Sequence, residues 1–87
     1  MSYQVRLRRG AWKELDKLVG RDYEIIASAI SALEQQPRPA RVKKLADSGL
    51  WRIRVGRYRS IYNINDEESL VIVVRIARRR EDTYKGR

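Results

Sequence analysis

Apolar and polar residues alternate at the start of the chain. Tyr3, Val5 and Leu7 are separated by single polar residues. This two-residue period is typical of a strand with one exposed face. The pattern therefore predicts a first strand over residues 2–8.

Two stripes of apolar residues at helical spacing follow this strand. The first begins at Ala11 and stops at Gly20. The second ends before the turn Pro37-Arg38-Pro39, because proline lacks the amide donor that a helix needs. The stripes predict two amphipathic helices that form a hairpin. Their apolar positions are Trp12, Leu15, Leu18 and Val19 in the first helix, and Ile25, Ile26, Ala29, Ile30 and Leu33 in the second.

A weaker pattern separates the helices from the rest of the chain. Residues 40–49 are mostly basic, with Val42 and Leu45 as apolar anchors, and Ser48-Gly49 is typical of a turn. We predict that this segment is a connecting loop.

Three further strands are predicted after the loop. Trp51, Ile53 and Val55 alternate with arginines, so one strand face is apolar and the other points guanidinium groups at solvent or a ligand. Tyr58 to Asn65 is predicted to be the returning strand. A turn of acidic residues follows it, and Leu70 to Ile76 is apolar enough to lie in the centre of the sheet.

These elements follow the order β-α-α-β-β-β, which predicts an α+β fold. The helical hairpin packs on one face of a small, mostly antiparallel sheet, and the opposite face is open as a working surface. Trp12 and Trp51 are expected to anchor the core. Tyr58 and Tyr62 are expected to be packing groups with a hydrogen-bonded hydroxyl.

Length and composition limit the class of protein. The chain has 87 residues and is expected to form a single domain, residues 1–87, with one core. It contains no apolar run long enough to span a membrane and no signal segment, so we expect a cytoplasmic location and no membrane partner. It has no Cys and no His, which removes disulfides, thiolate metal sites and the usual general base. No metal or organic cofactor is indicated.

Positive charge is concentrated in the middle of the chain. The formal net charge is +9, and residues 41–62 hold seven Lys or Arg residues against Asp47 alone, a net of +6. Four arginines without an acidic neighbour repel one another unless they are solvated or paired. Nucleic acid, an acidic protein, an anionic membrane surface and a solvated strand face all fit this pattern. The four are Arg52, Arg54, Arg57 and Arg59.

Two segments resemble the RelE/ParE superfamily of bacterial toxins. They are LWRIRVGRYRSIY, residues 50–62, and VVRIARRREDTYK, residues 73–85. The resemblance spans nearly the whole chain and implies the RelE-like fold. In this superfamily, RelE-like members are ribosome-dependent endoribonucleases that cut messenger RNA, and ParE-like members poison DNA gyrase. Both kinds are neutralised by a co-encoded antitoxin.

RNA cleavage requires few protein groups, because RNA carries its own nucleophile. A ribose 2′-hydroxyl attacks the adjacent phosphate when a base takes its proton, cations stabilise the phosphorane charge, and an acid protonates the departing 5′-oxygen. Neighbouring guanidinium groups favour the phenolate form of a tyrosine. Tyr84, which follows Arg78, Arg79 and Arg80, is therefore the candidate acid or base.

The resemblance implies a catalytic set at matching motif positions. Arginines in this set are expected to stabilise charge, because a guanidinium group keeps its proton and is a poor proton donor or acceptor. The set is Arg52, Arg54, Arg59, Arg79 and Tyr84, with Arg79 ranked above Arg80. Additional RNA-binding residues are predicted at Lys43, Lys44, Arg57, Arg78 and Arg80. Arg57 stands where many relatives have Asp, and Arg78 stands where they often have His or another polar residue.

Three functions remain open. The first, which the arginine density favours, is a RelE-like endoribonuclease that acts on messenger RNA at the ribosome. The second is a ParE-like toxin that poisons DNA gyrase, and the third is a non-catalytic module that acts with its antitoxin as a repressor complex. The expected protein partner is a RelB-like antitoxin, whose acidic and apolar residues dock between the helices and the sheet.

Overall fold

In the computed structural model, which describes residues 2–45 and 48–78, two helices and five strands follow one another along the described part of the chain. They are β1 (Gln4–Leu7), α1 (Arg9–Asp16), α2 (Gly20–Ala32), β2 (Lys43–Leu45), β3 (Leu50–Val55), β4 (Tyr58–Asn65) and β5 (Leu70–Arg78). Neither described helix is long and apolar enough to cross a membrane.

All five strands form one sheet, in the order β1-β5-β4-β3-β2. β1 pairs with β5 in parallel, and every other neighbouring pair is antiparallel. The helices pack against one face of this sheet. The predicted α+β fold, with a helical hairpin on a mostly antiparallel sheet, is therefore confirmed.

One part of the predicted element order is wrong, because the segment 40–49 is more than a loop. Lys43–Leu45 forms the edge strand β2, in which Lys43 pairs with Arg52 and Leu45 pairs with Leu50. Three residues are too few to show a two-residue period in the sequence. Their extended form depends on hydrogen bonds to β3, which are a tertiary contact.

The core lies between the helices and the centre of the sheet. Its largest fully buried side chain is Tyr62, whose hydroxyl donates to the Pro37 carbonyl oxygen at 2.8 Å. Burial raises the pKa of Tyr62 to about 12, so this hydroxyl stays protonated at neutral pH. The predicted packing role of Tyr62 is thus confirmed. The buried apolar residues are Ala11, Leu15, Ile26, Ile30, Leu33, Tyr62, Val71, Val73 and Ile76.

The first helix is shorter than predicted. It ends at Asp16, and Gly20, predicted to stop the first helix, instead opens α2 with a positive φ of +58°. Val19 lies between the helices and is 79 % exposed. Trp12 is 51 % exposed, so the expectation that it anchors the core is wrong. It follows Ala11 by one position, a rotation of about 100° that turns it away from the buried side of the helix.

A β-bulge and one carboxylate set the path of the last strand. Tyr62 pairs with Val73 and Ile61 pairs with Arg75, which leaves Val74 as an extra residue in β5. Beyond the end of β1, the neighbour of β5 is α1. There, the Glu14 carboxylate accepts the Ile76 amide at 2.7 Å and the Arg75 Nε at 3.2 Å. Helix α1 thereby supplies an acceptor that a longer β1 would otherwise provide.

Candidate functional site

The alternation of β3 places its arginines on the open face of the sheet. Trp51, Ile53 and Val55 pack against the core on the helix side, so Arg52 and Arg54 lie on the opposite side. Side chains of directly paired residues share a face of an antiparallel sheet. The pairing of Lys43 with Arg52 and of Arg54 with Arg59 therefore gathers four cations from β2, β3 and β4 on the open face.

A cleft opens on this face beside the edge of the sheet. Its volume is about 480 Å³, and it is lined by Arg41, Lys43, Arg52, Arg54 and Gly56. We call it the arginine cleft. Gly56 has a φ of +58° in the turn between β3 and β4, a conformation that suits glycine because it has no Cβ. Within residues 2–45 and 48–78, no carboxylate lines the arginine cleft.

The cations of the cleft lack partners within the described part of the chain. The side chains of Arg41, Lys43, Arg52 and Arg54 make no hydrogen bond or ion pair there. The Nε of Arg52 is shielded from solvent and has no acceptor. A buried donor without a partner is unfavourable by about 1–3 kcal/mol. The cleft is thus an uncompensated cluster of cations, and an anionic ligand would relieve it.

Several of the predicted RNA-binding residues lie away from the cleft. Lys44 is on the other side of β2, with its Nζ 5.7 Å from the centre of the Trp51 ring. Arg57 is exposed in the turn after Gly56. Arg78 pairs with Tyr58 and lines a second cleft on the helix side, together with Glu14 and Lys17. The structure therefore brings Lys43, of this group, to the arginine cleft, and the RNA-binding roles stay predictions.

The C-terminal members of the predicted set lie outside the described residues. These are Arg79, Arg80 and Tyr84. Among the catalytic candidates, the structure describes Arg52, Arg54 and Arg59. It brings the first two together in the cleft and places Arg59 opposite Arg54, half-buried. Their catalytic roles stay predictions.

Arg41 lines the cleft and was not among the predicted site residues. It lies in the loop before β2, two residues from Lys43, within the most basic segment of the sequence. Arg41 lies in a turn before the strand, so no strand period in the sequence marks it as a site residue. Its place at the cleft is set by the tertiary structure.

The chemistry that the described residues offer is charge stabilisation. Guanidinium groups bind phosphate oxygens through paired donors and keep their protons. In residues 2–45 and 48–78, no group of three or more carboxylates lies close enough to hold a metal ion. Tyr58 donates to the Asp22 carboxylate at 3.3 Å, and Tyr62 is buried in the core. Neither phenol reaches the arginine cleft, so a proton-transfer group has to come from elsewhere.

The fold is that of a toxin of the RelE/ParE superfamily. The family model of the ParE toxin of the type II toxin–antitoxin system ParDE matches residues 5–83, and the chain belongs to this family. It is therefore a toxin of a type II toxin–antitoxin system. The superfamily resemblance noted in the sequence is confirmed.

Solved structures share this fold over almost the whole chain. A chain of the archaeal RelE–RelB complex from Pyrococcus horikoshii is 29% identical, with a TM-score of 0.82 over 93% of this chain and 99% of that one. A chain of the RelBE2 toxin–antitoxin complex from Mycobacterium tuberculosis is also 29% identical, with a TM-score of 0.81 over 91% of this chain and 100% of that one.

A less similar structure belongs to a ParDE system. A chain of the chromosomal ParDE system from Pseudomonas aeruginosa is 14% identical, with a TM-score of 0.74 over 91% of this chain and 98% of that one. At this identity the likeness concerns the fold alone. No curated protein matches the chain. Because similar structures include both RelE and ParDE systems, the predicted RelE-like branch stays a prediction.

Proposed function

We propose that this toxin is a ribosome-dependent endoribonuclease that cuts messenger RNA. The observation that carries the proposal is the arginine cleft, where Arg41, Lys43, Arg52 and Arg54 meet and no described carboxylate joins them. A cleft of uncompensated cations suits a phosphodiester chain, since each phosphate supplies one negative charge and several acceptor oxygens.

The proposed reaction uses the substrate's own nucleophile. The ribose 2′-oxygen attacks the adjacent phosphorus and loses its proton to a base, while the bond from phosphorus to the 5′-oxygen breaks and that oxygen gains a proton. The products are a 2′,3′-cyclic phosphate and a 5′-hydroxyl. Arg52, Arg54 and Arg59 stabilise the charge on the phosphorane oxygens. Tyr84 is the proposed acid or base, and Arg79, five positions before it in the sequence, is a further proposed catalytic residue.

The arginine side chains fit this role because they act without changing their own protonation. The backbone pairing of β2, β3 and β4 fixes the strand positions from which these side chains extend. Cations aimed at the place where charge develops stabilise the transition state. Because arginine keeps its proton, a separate group, Tyr84, is needed for proton transfer.

We also propose a RelB-like antitoxin as the protein partner. Support comes from similar structures, which are toxin–antitoxin complexes in Pyrococcus horikoshii and Mycobacterium tuberculosis. An acidic antitoxin segment complements the net charge of +9 and would compete with RNA for the open face of the sheet.

A second candidate is a toxin that poisons DNA gyrase. The observation in its favour is that the matching family model is named for the ParE toxin of ParDE. This function needs no cleaved RNA, and the cations of the cleft would then bind an acidic protein surface or DNA. After induction, the ribonuclease would cut messenger RNA, whereas the gyrase poison would damage DNA.

The experiment that separates them is primer extension on cellular messenger RNA after brief induction without antitoxin. We expect new cuts inside translated codons. We expect Arg59→Ala and Tyr84→Phe each to reduce cleavage by about 100-fold, because each removes a group that acts in the transition state.

Arg9→Ala is the control for the loss of one cation, since Arg9 is exposed in α1 on the other side of the sheet. It should cleave as the wild type does. Growth arrest with intact messenger RNA and a DNA-damage response would contradict the ribonuclease proposal and support the gyrase poison. Full cleavage by Tyr84→Phe would remove that residue from the mechanism.

A further inference from the structure

We propose that Arg41 and Lys43 form a second phosphate subsite at the β2 edge of the arginine cleft. This subsite holds the phosphate next to the one that is cut, so the toxin binds a stretch of single-stranded RNA rather than one nucleotide linkage. The inference rests on the proposed function, and it adds Arg41 to the binding surface.

The spacing of the cations supports two phosphates. Arg54 faces Arg59 across β3 and β4, and Lys43 faces Arg52 across β2 and β3. Arg52 and Arg54 are two residues apart, which separates the two pairs by about 7 Å along the strand. Neighbouring strands add about 5 Å across the sheet. Lys43 is therefore two strands away from Arg59, about 10 Å across the sheet and about 7 Å along it. It can hold the phosphate next to the one that Arg52, Arg54 and Arg59 contact.

Arg38 and Arg41 lie in the same loop but differ in their side-chain partners. Arg38 has a counter-ion, because its guanidinium donates to the Asp66 carboxylate at 2.8 Å, and it also lies 5.0 Å from the Trp51 ring centre. Arg41 has no hydrogen-bond or ion-pair partner within the described residues and lines the cleft instead. Asp66, in the turn between β4 and β5, thus provides an acceptor for Arg38, whereas no described residue provides one for Arg41.

The chemistry of the subsite favours phosphate. Arg41 contributes a planar fork of donors, and Lys43 contributes a compact point charge next to it. Among the described residues, neither an aromatic nor a large apolar side chain lines the cleft, so they offer no surface on which a base would stack. Recognition at this end of the cleft is therefore of the backbone, and it carries no preference for base sequence.

The test compares RNA binding at several salt concentrations. The probe is a short, dye-labelled single-stranded RNA with a 2′-O-methyl group on every ribose, which removes the nucleophile and prevents cleavage. Fluorescence anisotropy gives Kd between about 50 and 200 mM KCl for the full chain. The double variant Arg41→Ala/Lys43→Ala is compared with Arg9→Ala/Lys13→Ala, which removes the same charge from exposed positions of α1.

We expect the slope of log Kd against log salt to fall by about 0.7 in the cleft variant, the value for one phosphate contact on a single strand. The affinity should fall several-fold, and the α1 variant should keep the wild-type slope. Equal slopes in the two variants would overturn the subsite. An equal loss of binding to a glutamate peptide of the same length would also overturn it, because the cleft would then bind acidic chains in general.

The outcome is separable from that of the proposed function. If messenger RNA is cut and the cleft variant binds as the α1 variant does, the subsite fails while the ribonuclease stands. If no messenger RNA is cut and the slope still falls, the ribonuclease fails although the cleft holds a phosphate backbone. Both cleft residues are exposed, and equal thermal unfolding midpoints for the two variants would show that each is folded.

Discussion

At the residue scale, Asp66 links three separate parts of the chain. Its carboxylate accepts the Tyr3 hydroxyl at 2.6 Å and the Arg38 guanidinium at 2.8 Å. The guanidinium also lies 5.0 Å from the centre of the Trp51 ring. The start of the chain, the loop after α2 and the turn between β4 and β5 therefore meet at one side chain. Such an exposed network orients the loop that leads to Arg41, although each contact by itself contributes little.

The charge of Asp66 makes this network depend on pH. The hydrogen bond from Arg38, followed by that from Tyr3, holds the pKa of Asp66 below its usual value. A carboxyl with a lowered folded-state pKa adds stability above its unfolded pKa of about 3.9. That stability is lost as the pH falls through the folded-state pKa. Asp66→Asn should therefore weaken the pH dependence of unfolding in acid, as measured by thermal melts from about pH 5 downwards.

Glu67→Gln is the control for this prediction. Glu67 lies in the same turn, is exposed and makes no hydrogen bond or ion pair through its side chain in the described part of the chain. The control should keep the wild-type pH dependence. If the unfolding midpoints of Asp66→Asn and Glu67→Gln both fell with acid pH as that of the wild type does, the network would have no effect on stability.

At the scale of elements, α1 completes the edge of β5 through Glu14. The carboxylate accepts the Ile76 amide at 2.7 Å, in a region that β1 is too short to cover. The same side chain binds the Arg75 Nε at 3.2 Å, next to the extra residue Val74. Glu14 thus holds the bulged half of β5, which precedes the basic C-terminal residues.

Replacement of Glu14 tests this assignment. Glu14→Ala leaves the part-buried Ile76 amide without its acceptor, so we expect the free energy of unfolding to fall by about 1–3 kcal/mol. Glu14→Gln keeps an acceptor and loses the ion pair to Arg75, so its loss should be smaller. Urea unfolding measures both. Asp16→Ala, at an exposed position of the same helix, should change little, and an equal loss in that variant would point to α1 itself.

At the scale of the whole molecule, the fold separates a stabilising face from a charged one. The helices and the apolar side of the sheet form the core. The other side gathers the cations of the arginine cleft, whose side chains have no counter-ion among the described residues. Repulsion among these cations lowers the stability of the free protein. Binding of an anion to the folded state alone offsets this effect through mass action. The free protein is therefore less stable because its open face is suited to bind a polyanion.

Thermal unfolding in two salts tests this view. At equal ionic strength, inorganic phosphate should raise the unfolding midpoint of the wild type above its value in chloride by about 2 °C. Arg52→Ala/Arg54→Ala should reduce that difference, because the cleft loses its central cations. Arg9→Ala/Lys13→Ala should keep it. The same phosphate response in both double variants would mean that the stabilisation comes from general screening and not from the cleft.

The sequence alone determined the main elements and the face of the arginines in β3. Alternation and helical spacing are local properties, so they predicted β1, both helices and the long strands β3, β4 and β5. Alternation also showed that Arg52 and Arg54 lie opposite the apolar side of β3, as the packing of Trp51, Ile53 and Val55 confirms. These features follow from the order of residue types along a few consecutive turns or strand residues.

Tertiary contacts decided which other cations join the arginines. β2 exists through its pairing with β3, and that pairing places Lys43 in the cleft and Lys44 on the other side near Trp51. In β5, the extra residue Val74 reverses the alternation, so that Arg78 lies with Tyr58 instead of on the open face. A shift of one residue moves every following side chain to the opposite face. Pairing between distant segments sets such shifts, and the local sequence pattern does not record them.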